Sequence, residues 1–310
     1  MKEKNEFYQY LNKVITNQDR ENYQKISKKH STYVLILSIS ALILIFTMLV
    51  IAVSSNNFIL PFTVSFTLLV VLLFIIAIMS FKDSATKTRI KKDIGHKAIN
   101  YLLEDVNHTY EANRYIDKSL FETSNLYNSS YDSYSGEDLI QVDIPNDDGT
   151  KSGVNLNLSD LTITETQTDN DGNSSTTTIF EGIFAYAQFP FNFKCKLGLN
   201  AKLTGTKSFS LESLDFNKKF ATYSDNQLEA FCILTPDMME KLITLRNQGT
   251  NLKISLFNNY LFIAISGKHL FEYRNSPTLT PELFSNFYDD VNLILKITKE
   301  LQTNNKIFKM

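Results

Sequence analysis

Cysteine and histidine are scarce in this sequence, with two of the first and four of the second among 310 residues. Cys195 and Cys232 both sit in apolar or alternating runs, where free thiols are commonly buried, so a disulfide framework is excluded as the organising device. His30, His96, His108 and His269 lie far apart along the chain and provide none of the close spacings that a metal site uses. No metal and no cofactor are therefore expected. Catalytic grammar is missing as well: there is no G-x-S-x-G elbow, no Walker loop and no G-x-G-x-x-G, and Gly267-Lys268 lacks the upstream glycine of a phosphate loop. A Cys–His pair would have to join Cys232 to a distant histidine, and the apolar flanks of Cys232 mark an inert thiol. The sequence reads as that of a non-enzyme.

Charge is absent from residues 31–81, which hold no Asp, Glu, Lys, Arg or His. One bilayer crossing needs about 20 apolar residues, so the stretch predicts two transmembrane helices at about 32–53 and 58–81, joined by Ser54-Ser55-Asn56-Asn57 as a tight hairpin. A cleaved signal peptide is the competing reading, but such h-regions run to about 15 residues near the chain start, and here 30 polar residues come first. Lys25, Lys28 and Lys29 precede the stretch, and Lys82, Lys87, Arg89, Lys91 and Lys92 follow it, while the connecting turn is uncharged. Because basic flanks stay on the cytoplasmic side, the expected topology is a two-span protein of the cell membrane with both termini cytoplasmic. The same eight residues are candidate contacts for anionic lipid, or serve only to orient the spans.

The formal net charge of -2 conceals a division. Residues 93–310 carry 19 basic and 28 acidic residues, an imbalance that argues against DNA or RNA as a partner and against a domain lying on anionic lipid.

Hydrophobic periodicity divides the remainder. Residues 1–30 predict a cytosolic amphipathic helix with Phe7, Leu11, Val14 and Ile15 on one face. Residues 82–122 predict a basic juxtamembrane segment and a second helix striped by Ile94, Ala98, Ile99, Leu102, Leu103, Val106 and Tyr110. These two helices either pair or pack separately. Residues 123–135, rich in Ser, Asn and Tyr, predict a loop.

From Asp138 the alternation is that of strands: DLIQVDI, VNLNLS, LTITETQT and TTTIFEGIFAYAQF, with hairpin turns at Asn146–Gly149 and at DNDGNSS. The run DNDGN resembles the start of a calcium loop, but its glycine stands fourth rather than sixth and the closing glutamate is missing, so a turn is expected. Thr235-Pro236-Asp237 and Thr280-Pro281-Glu282 each read as a helix start, with a capping threonine, proline in the first turn and an acid at the positive end of the dipole. LKISLFNNYLFIAIS is a hairpin turning at Asn258-Asn259. The expected fold class is α+β: a transmembrane hairpin followed, over 138–310, by a mainly antiparallel cytosolic sheet domain with helices packed on it.

The segment FNKKFATYSDNQLEAFCILTPDMMEKL at 216–242 resembles the signature of the bacterial family called domain of unknown function 3137. YSGEDLI at 134–140, IFEGIFAYAQF at 179–189 and LFIAISGKHLFE at 261–272 agree with it, while Phe231 stands where the family usually has arginine. The resemblance implies a membrane-anchored soluble domain, and no activity. Within the signature, Tyr223, Ser224, Asp225, Asn226 and Glu229 form the densest polar cluster. They are read either as a binding surface or as caps and turn bonds. The function expected is that of a membrane-anchored cytosolic adaptor or sensor working on other membrane or cytosolic proteins, at the lipid bilayer and without nucleic acid. The alternative is binding of a lipid or small ligand by the β-rich domain, suggested by 23 Phe and 15 Tyr.

Overall fold

The computed structural model describes residues 2–25, 92–169, 172–247, 251–271 and 278–303, together with nine isolated positions between 36 and 74. Two compact units are distinguished: residues 1–7, 99–272 and 284–310 form one, and residues 8–98 and 273–283 the other.

Helix α1 (Lys4–Val14) runs from the first unit into the second in sequence. Its stripe is as expected, with Phe7, Leu11 and Ile15 buried and Val14 half-buried. Residues 17–25 form α2, whose start is closed by a reciprocal cap: the Asp19 carboxylate accepts the Thr16 N–H at 3.0 Å, and the Thr16 hydroxyl accepts the Asp19 N–H at 3.1 Å. Residues 92–102 form α3, which buries Ile94, Ala98, Ile99 and Leu102. The helical reading of Val106 and Tyr110 does not hold. The helix stops at 102, and Tyr110 lies on strand β1 (His108–Glu111).

The larger unit is built on one sheet of nine strands, in the order β1-β2-β3-β4-β9-β8-β5-β7-β6, with every neighbouring pair antiparallel. After β1 the chain forms helix α4 (Lys118–Thr123), then strands β2 (Ser133–Pro145), β3 (Lys151–Thr168) and β4 (Ser174–Gln188). VNLNLS and LTITETQT thus fuse into one strand of 18 residues. Both hairpin turns are formed, with Gly149 and Gly172 in the left-handed region at φ 79° and 84°. In the second turn the Asp169 carboxylate accepts the Asn173 backbone N–H at 2.8 Å.

Strands β5 (Leu197–Leu199), β6 (Lys207–Phe209) and β7 (Thr222–Ser224) are short, and helix α5 (Leu214–Lys219) lies between the last two. Helices α6 (Gln227–Ile233) and α7 (Pro236–Asn247) follow, then strands β8 (Asn251–Phe257) and β9 (Tyr260–Ser266) around Asn258, left-handed at φ 51°. A 3-10 turn at Pro281–Phe284 leads into helix α8 (Ser285–Thr303).

Side chains alternate between the two faces of this sheet. On one face Leu158, Ala185, Ile263 and Ile254 are cross-strand neighbours, and α8 packs on β3, α7 on β8, and the two helices on each other. On the opposite face Leu161, Ile163, Phe180, Phe184, Phe262 and Ala264 meet Phe121 of α4 and Leu126. Phe121 is the hub of that layer, with ring centroids 5.2 Å from Phe184, 5.7 Å from Tyr127 and 5.9 Å from Phe180. Gly182 lets β4 and β9 come together, because a Cβ there would lie 2.1 Å from the Ile265 carbonyl oxygen, and its φ of 150° disfavours other residues.

One part of the expected fold class is corrected. Among the described residues no helix is long and apolar enough to cross a membrane, so the transmembrane hairpin is not supported. The one described helix of sufficient length, α8 with 19 residues, is amphipathic and carries Asp289, Asp290, Lys296, Lys299 and Glu300. Its apolar side faces the protein interior rather than lipid, as Phe287, Val291 and Ile294 are fully buried. The stretches 32–53 and 58–81 lie outside the described residues apart from the nine isolated positions, as do Lys28, Lys29, Lys82, Lys87, Arg89 and Lys91. What the structure supports is an α+β fold, mainly antiparallel, with helices on the sheet.

Truncating Phe121 to Ala removes the hub of one layer and should cost about 3–5 kcal/mol, read as a lowered urea midpoint. Leu214→Ala, at a position 74% exposed, should leave the midpoint unchanged.

Candidate functional site

The segment that stood out in the sequence, 216–242, runs through α5, β7, α6 and α7 beside the β6 edge of the sheet. Ser213 caps α5 by accepting the Phe216 N–H at 3.3 Å, and the rings of Phe216 and Phe220 stack at 4.6 Å to anchor the helix. Tyr223 is half-buried at the centre of β7, opposite Gly198 and Ser208. The Ser224 hydroxyl donates to the Lys196 carbonyl at 2.8 Å and accepts the Asn226 N–H at 3.1 Å. Asp225 accepts the Lys196 N–H at 2.7 Å, and the Asn226 side chain caps α6 by accepting the Glu229 N–H at 3.4 Å. Three of the five polar candidates are thus bonded within the turn and to the strand beside it, while Glu229 is half-buried on α6.

Alongside exposed polar residues such as Lys218, Asp225 and Gln227, this segment also turns apolar side chains outward. Leu228 is 78% exposed and Phe231 is 44% exposed, three residues apart on one side of α6, and the Phe231 ring meets Phe209 of β6 edge-on at 5.5 Å. Leu214 stands out at the start of α5. The Asn217 amide ties α5 to the chain leaving β6, with bonds of 3.0 and 2.6 Å to the Leu211 N–H and carbonyl. The two cysteines differ sharply. Burial pushes the Cys195 thiol up to about 12, whereas Cys232 on α6 is exposed.

The helix start at Thr235 forms as read, with its hydroxyl accepting the Met238 N–H at 3.2 Å. The same hydroxyl donates to Glu300 at 3.1 Å, and the Lys241 ammonium joins Asp237 and Glu300, fastening α7 to α8.

A second cluster, unread in the sequence, lies between the sheet and α8. The Lys268 ammonium donates to both carboxylate oxygens of Asp290 at 3.0 and 3.1 Å, with Lys268 6% exposed and Asp290 0%. Asp160 is also buried, and its two oxygens accept the Leu270 N–H at 2.9 and 3.1 Å. His269 lies between two carboxylates, with Nδ1 3.6 Å from Asp160 and Nε2 3.4 Å from Glu181. Nearby on β2, Asp138 sits in a bulge at φ 63° and accepts the Tyr110 hydroxyl proton at 2.5 Å. Burial, followed by the Asp138 charge, holds the Tyr110 phenol well above its ordinary range.

The sequence does carry a signal for this cluster. Asp160 falls where the alternation set by Leu156 and Leu158 expects an apolar residue, and Asp290 interrupts the stripe of Phe287, Val291 and Ile294. An ammonium held by both oxygens of a buried carboxylate orients α8 rather than offering a nucleophile.

A groove of about 660 Å³ opens where the β2–β3 turn meets residues 105–107. At its wall the Asp143 carboxylate is held below its usual range by the Asn155 amide at 3.0 Å and the Asn107 amide at 2.6 Å. The remaining sequence candidates fall elsewhere: Lys25 is exposed beside Glu21 at 3.8 Å, and Lys92 begins α3.

Residues 178–303 match the family described as protein of unknown function (DUF3137). The match runs from β4 to the end of α8, so the DUF3137 region contains the segment 216–242 and the strands at 179–189 and 261–272, while 134–140 lies before it. No curated protein and no solved structure matches the chain. The DUF3137 match therefore brings no activity with it.

Iodoacetamide added to the native protein should modify Cys232 and leave Cys195 intact until the chain is unfolded. Equal labelling of both would contradict the burial of Cys195. Lys268→Met should destabilise by about 3–5 kcal/mol because it strips the charge from a buried carboxylate, and the double change Lys268→Met with Asp290→Leu should recover much of that loss in chemical denaturation.

Proposed function

We propose that the DUF3137 region works by docking, as an interaction domain of the adaptor or sensor type, and that its contact surface is the solvent-exposed apolar side of α6. The observation that carries this reading is the exposure of Leu214, Leu228 and Phe231 in a region, 178–303, whose other described large apolar side chains are buried or half-buried. Single exposed apolar residues are ordinary on protein surfaces, but here Phe231 meets Phe209, and Leu228 stands three residues before Phe231 on the same helix. The polar residues around them support the reading in another way. Ser224, Asp225 and Asn226 use their polar groups to hold the turn before α6, which fixes the helix that presents the apolar side chains. The abundance of Phe, by contrast, is mostly used in the core, where Phe121, Phe180, Phe184, Phe216 and Phe262 are buried.

A photoreactive amino acid placed at position 228 of the full chain in cells should give discrete adducts. The same residue placed at Tyr115, an exposed aromatic outside the matched region, should not. Adducts at neither site, or the same adducts at both, would remove the docking reading.

A further inference from the structure

We propose that the groove beside the β2–β3 turn, with the amide-rich part of the sheet face that forms its wall, binds a neutral oligosaccharide. The groove lies near the β1 edge of the sheet and α6 beside the β6 edge, so the inference does not depend on the docking reading. It starts from a break in the pattern of β3. On the face where Leu161 and Ile163 meet α4, the strand continues towards its turn as Ser159, Asn157 and Asn155. Asn157 stands opposite Gln141 and Asn155 opposite Asp143 on β2, while Thr109 of β1 stands opposite Gln141. A face that begins as a core layer thus ends in amides and a carboxylate.

These side chains form one directed relay. The Thr109 hydroxyl donates to Gln141 at 3.1 Å, the Gln141 amide to Asn157 at 2.8 Å, Asn157 to Asn155 at 2.5 Å, and Asn155 to the Asp143 carboxylate at 3.0 Å. From the other side Asn107 donates to Asp143 at 2.6 Å. Each amide of the relay gives its neighbours one N–H and one lone pair, out of two of each. Asn157 is buried and holds the array in place, whereas Gln141 and Asn155 are half-buried and Asn107 and Asp143 exposed. The donors and acceptors at the surface are therefore fixed in direction before any ligand arrives. Farther across the sheet the same rows end in rings. Tyr186 stands opposite Asn157, and only Gln188 separates Tyr260 from Asn155. Both rings are half-buried, with centroids 6.4 Å apart. Tyr260 is two strands, about 10 Å, from Asn155, so one sugar of a short chain can sit at the groove and another on the rings.

Charge selects the class of ligand. The charged residues lining the groove are Asp105, Asp143 and Lys151, and the turn adds Asp147, which meets Lys299 at 3.1 Å, and Asp148, which accepts from Thr150. The balance is acidic, and the amides of Asn155 and Asn107 keep Asp143 ionised, which disfavours phosphates and carboxylates. A divalent cation fits poorly too, since both Asp143 oxygens already accept amide N–H groups. A peptide would pair along a strand edge, and these groups lie on a sheet face. Sugar hydroxyls are neutral and each both donates and accepts, so neighbouring hydroxyls match the paired donor and acceptor of an amide. The C–H side of a sugar ring covers a tyrosine face while its hydroxyls reach the polar groups beside it. The volume of about 660 Å³ is that of a small-ligand site.

Saturation-transfer NMR on the full chain tests this, because it reads contact from the protons of the sugar. Maltotriose, cellotriose and chitotriose serve as neutral probes, with trigalacturonate as the charged one. At least one neutral trisaccharide should receive saturation, and trigalacturonate should not. The paired change Asn107→Ala and Asn155→Ala should cut the signal at least about tenfold. Thr176→Ala, at an exposed position on β4 away from the groove, should leave it unchanged. Should circular dichroism show the pair to be unfolded, Asn107→Asp at an exposed position keeps the side chain's size, sets a second carboxylate against Asp143 and should lower the signal as far. No saturation of any neutral probe, equal saturation of trigalacturonate, or a signal that survives in the folded variant overturns the assignment. Adducts at position 228 test docking separately, so each proposal stands or falls on its own result.

Discussion

Pairing between β3 and β4 is the constraint on which the rest of the large unit depends. The two strands are registered from Asn155 against Gln188 to Thr168 against Ser174, which fixes which side chains point to each face over most of the sheet. A slip of one residue would turn Leu158 and Asp160 towards α4, and Leu161 and Ile163 towards α8. Gly182 locks the next pairing in the same way, because only a residue without Cβ fits against the Ile265 carbonyl. With the register set, one face takes the aromatic cluster around Phe121 and the other takes α7 and α8. Neither cover has enough apolar surface to be stable alone, so both derive their positions from the central ladder.

Much of this was legible in the residues. The long strands, the turns at Asn146–Gly149 and Asn258-Asn259, and the capped start of α7 were all announced by local chemistry that needs no tertiary partner. What could not be read was set by long-range contact. Strands β5, β6 and β7 are three residues each and carry no periodicity to detect, since a strand that short exists only because a neighbour pairs with it. Tyr110 continues the apolar spacing of α3, which predicts helix at that position. The chain instead turns after 102, and pairing of Tyr110 with Ile140 of β2 overrides the local pattern.

The candidate surface was half legible for a related reason. The polar cluster from Tyr223 to Glu229 marked the right segment, but sequence cannot show which way a side chain is turned. Ser224 and Asp225 bond to the backbone of Lys196, a residue 28 or 29 positions earlier, so their polar groups point into the turn and the apolar side of α6 is left outward. The buried acids on β3 and α8 are the converse case. Each is visible as a break in an apolar pattern, yet its partner lies far along the chain, as Leu270 does for Asp160.

The placement of buried charge and exposed apolar groups follows from one arrangement. Lys268 and Asp290 join the end of β9 to α8 by a pair that is costly to separate in the interior, and Lys241 with Glu300 joins α8 to α7 at a half-exposed site. That chain of contacts fixes α7, and α6 enters α7 directly through Leu234 and the Thr235 cap. The helix carrying Leu228 and Phe231 is therefore held at both ends: by the Ser224–Asn226 turn at its start and by α7 at its finish. An exposed apolar surface on a loose helix would fold back and bury itself, lowering its own free energy. On a helix of seven residues anchored at each end, that escape is closed, and the surface stays available to whatever the domain meets.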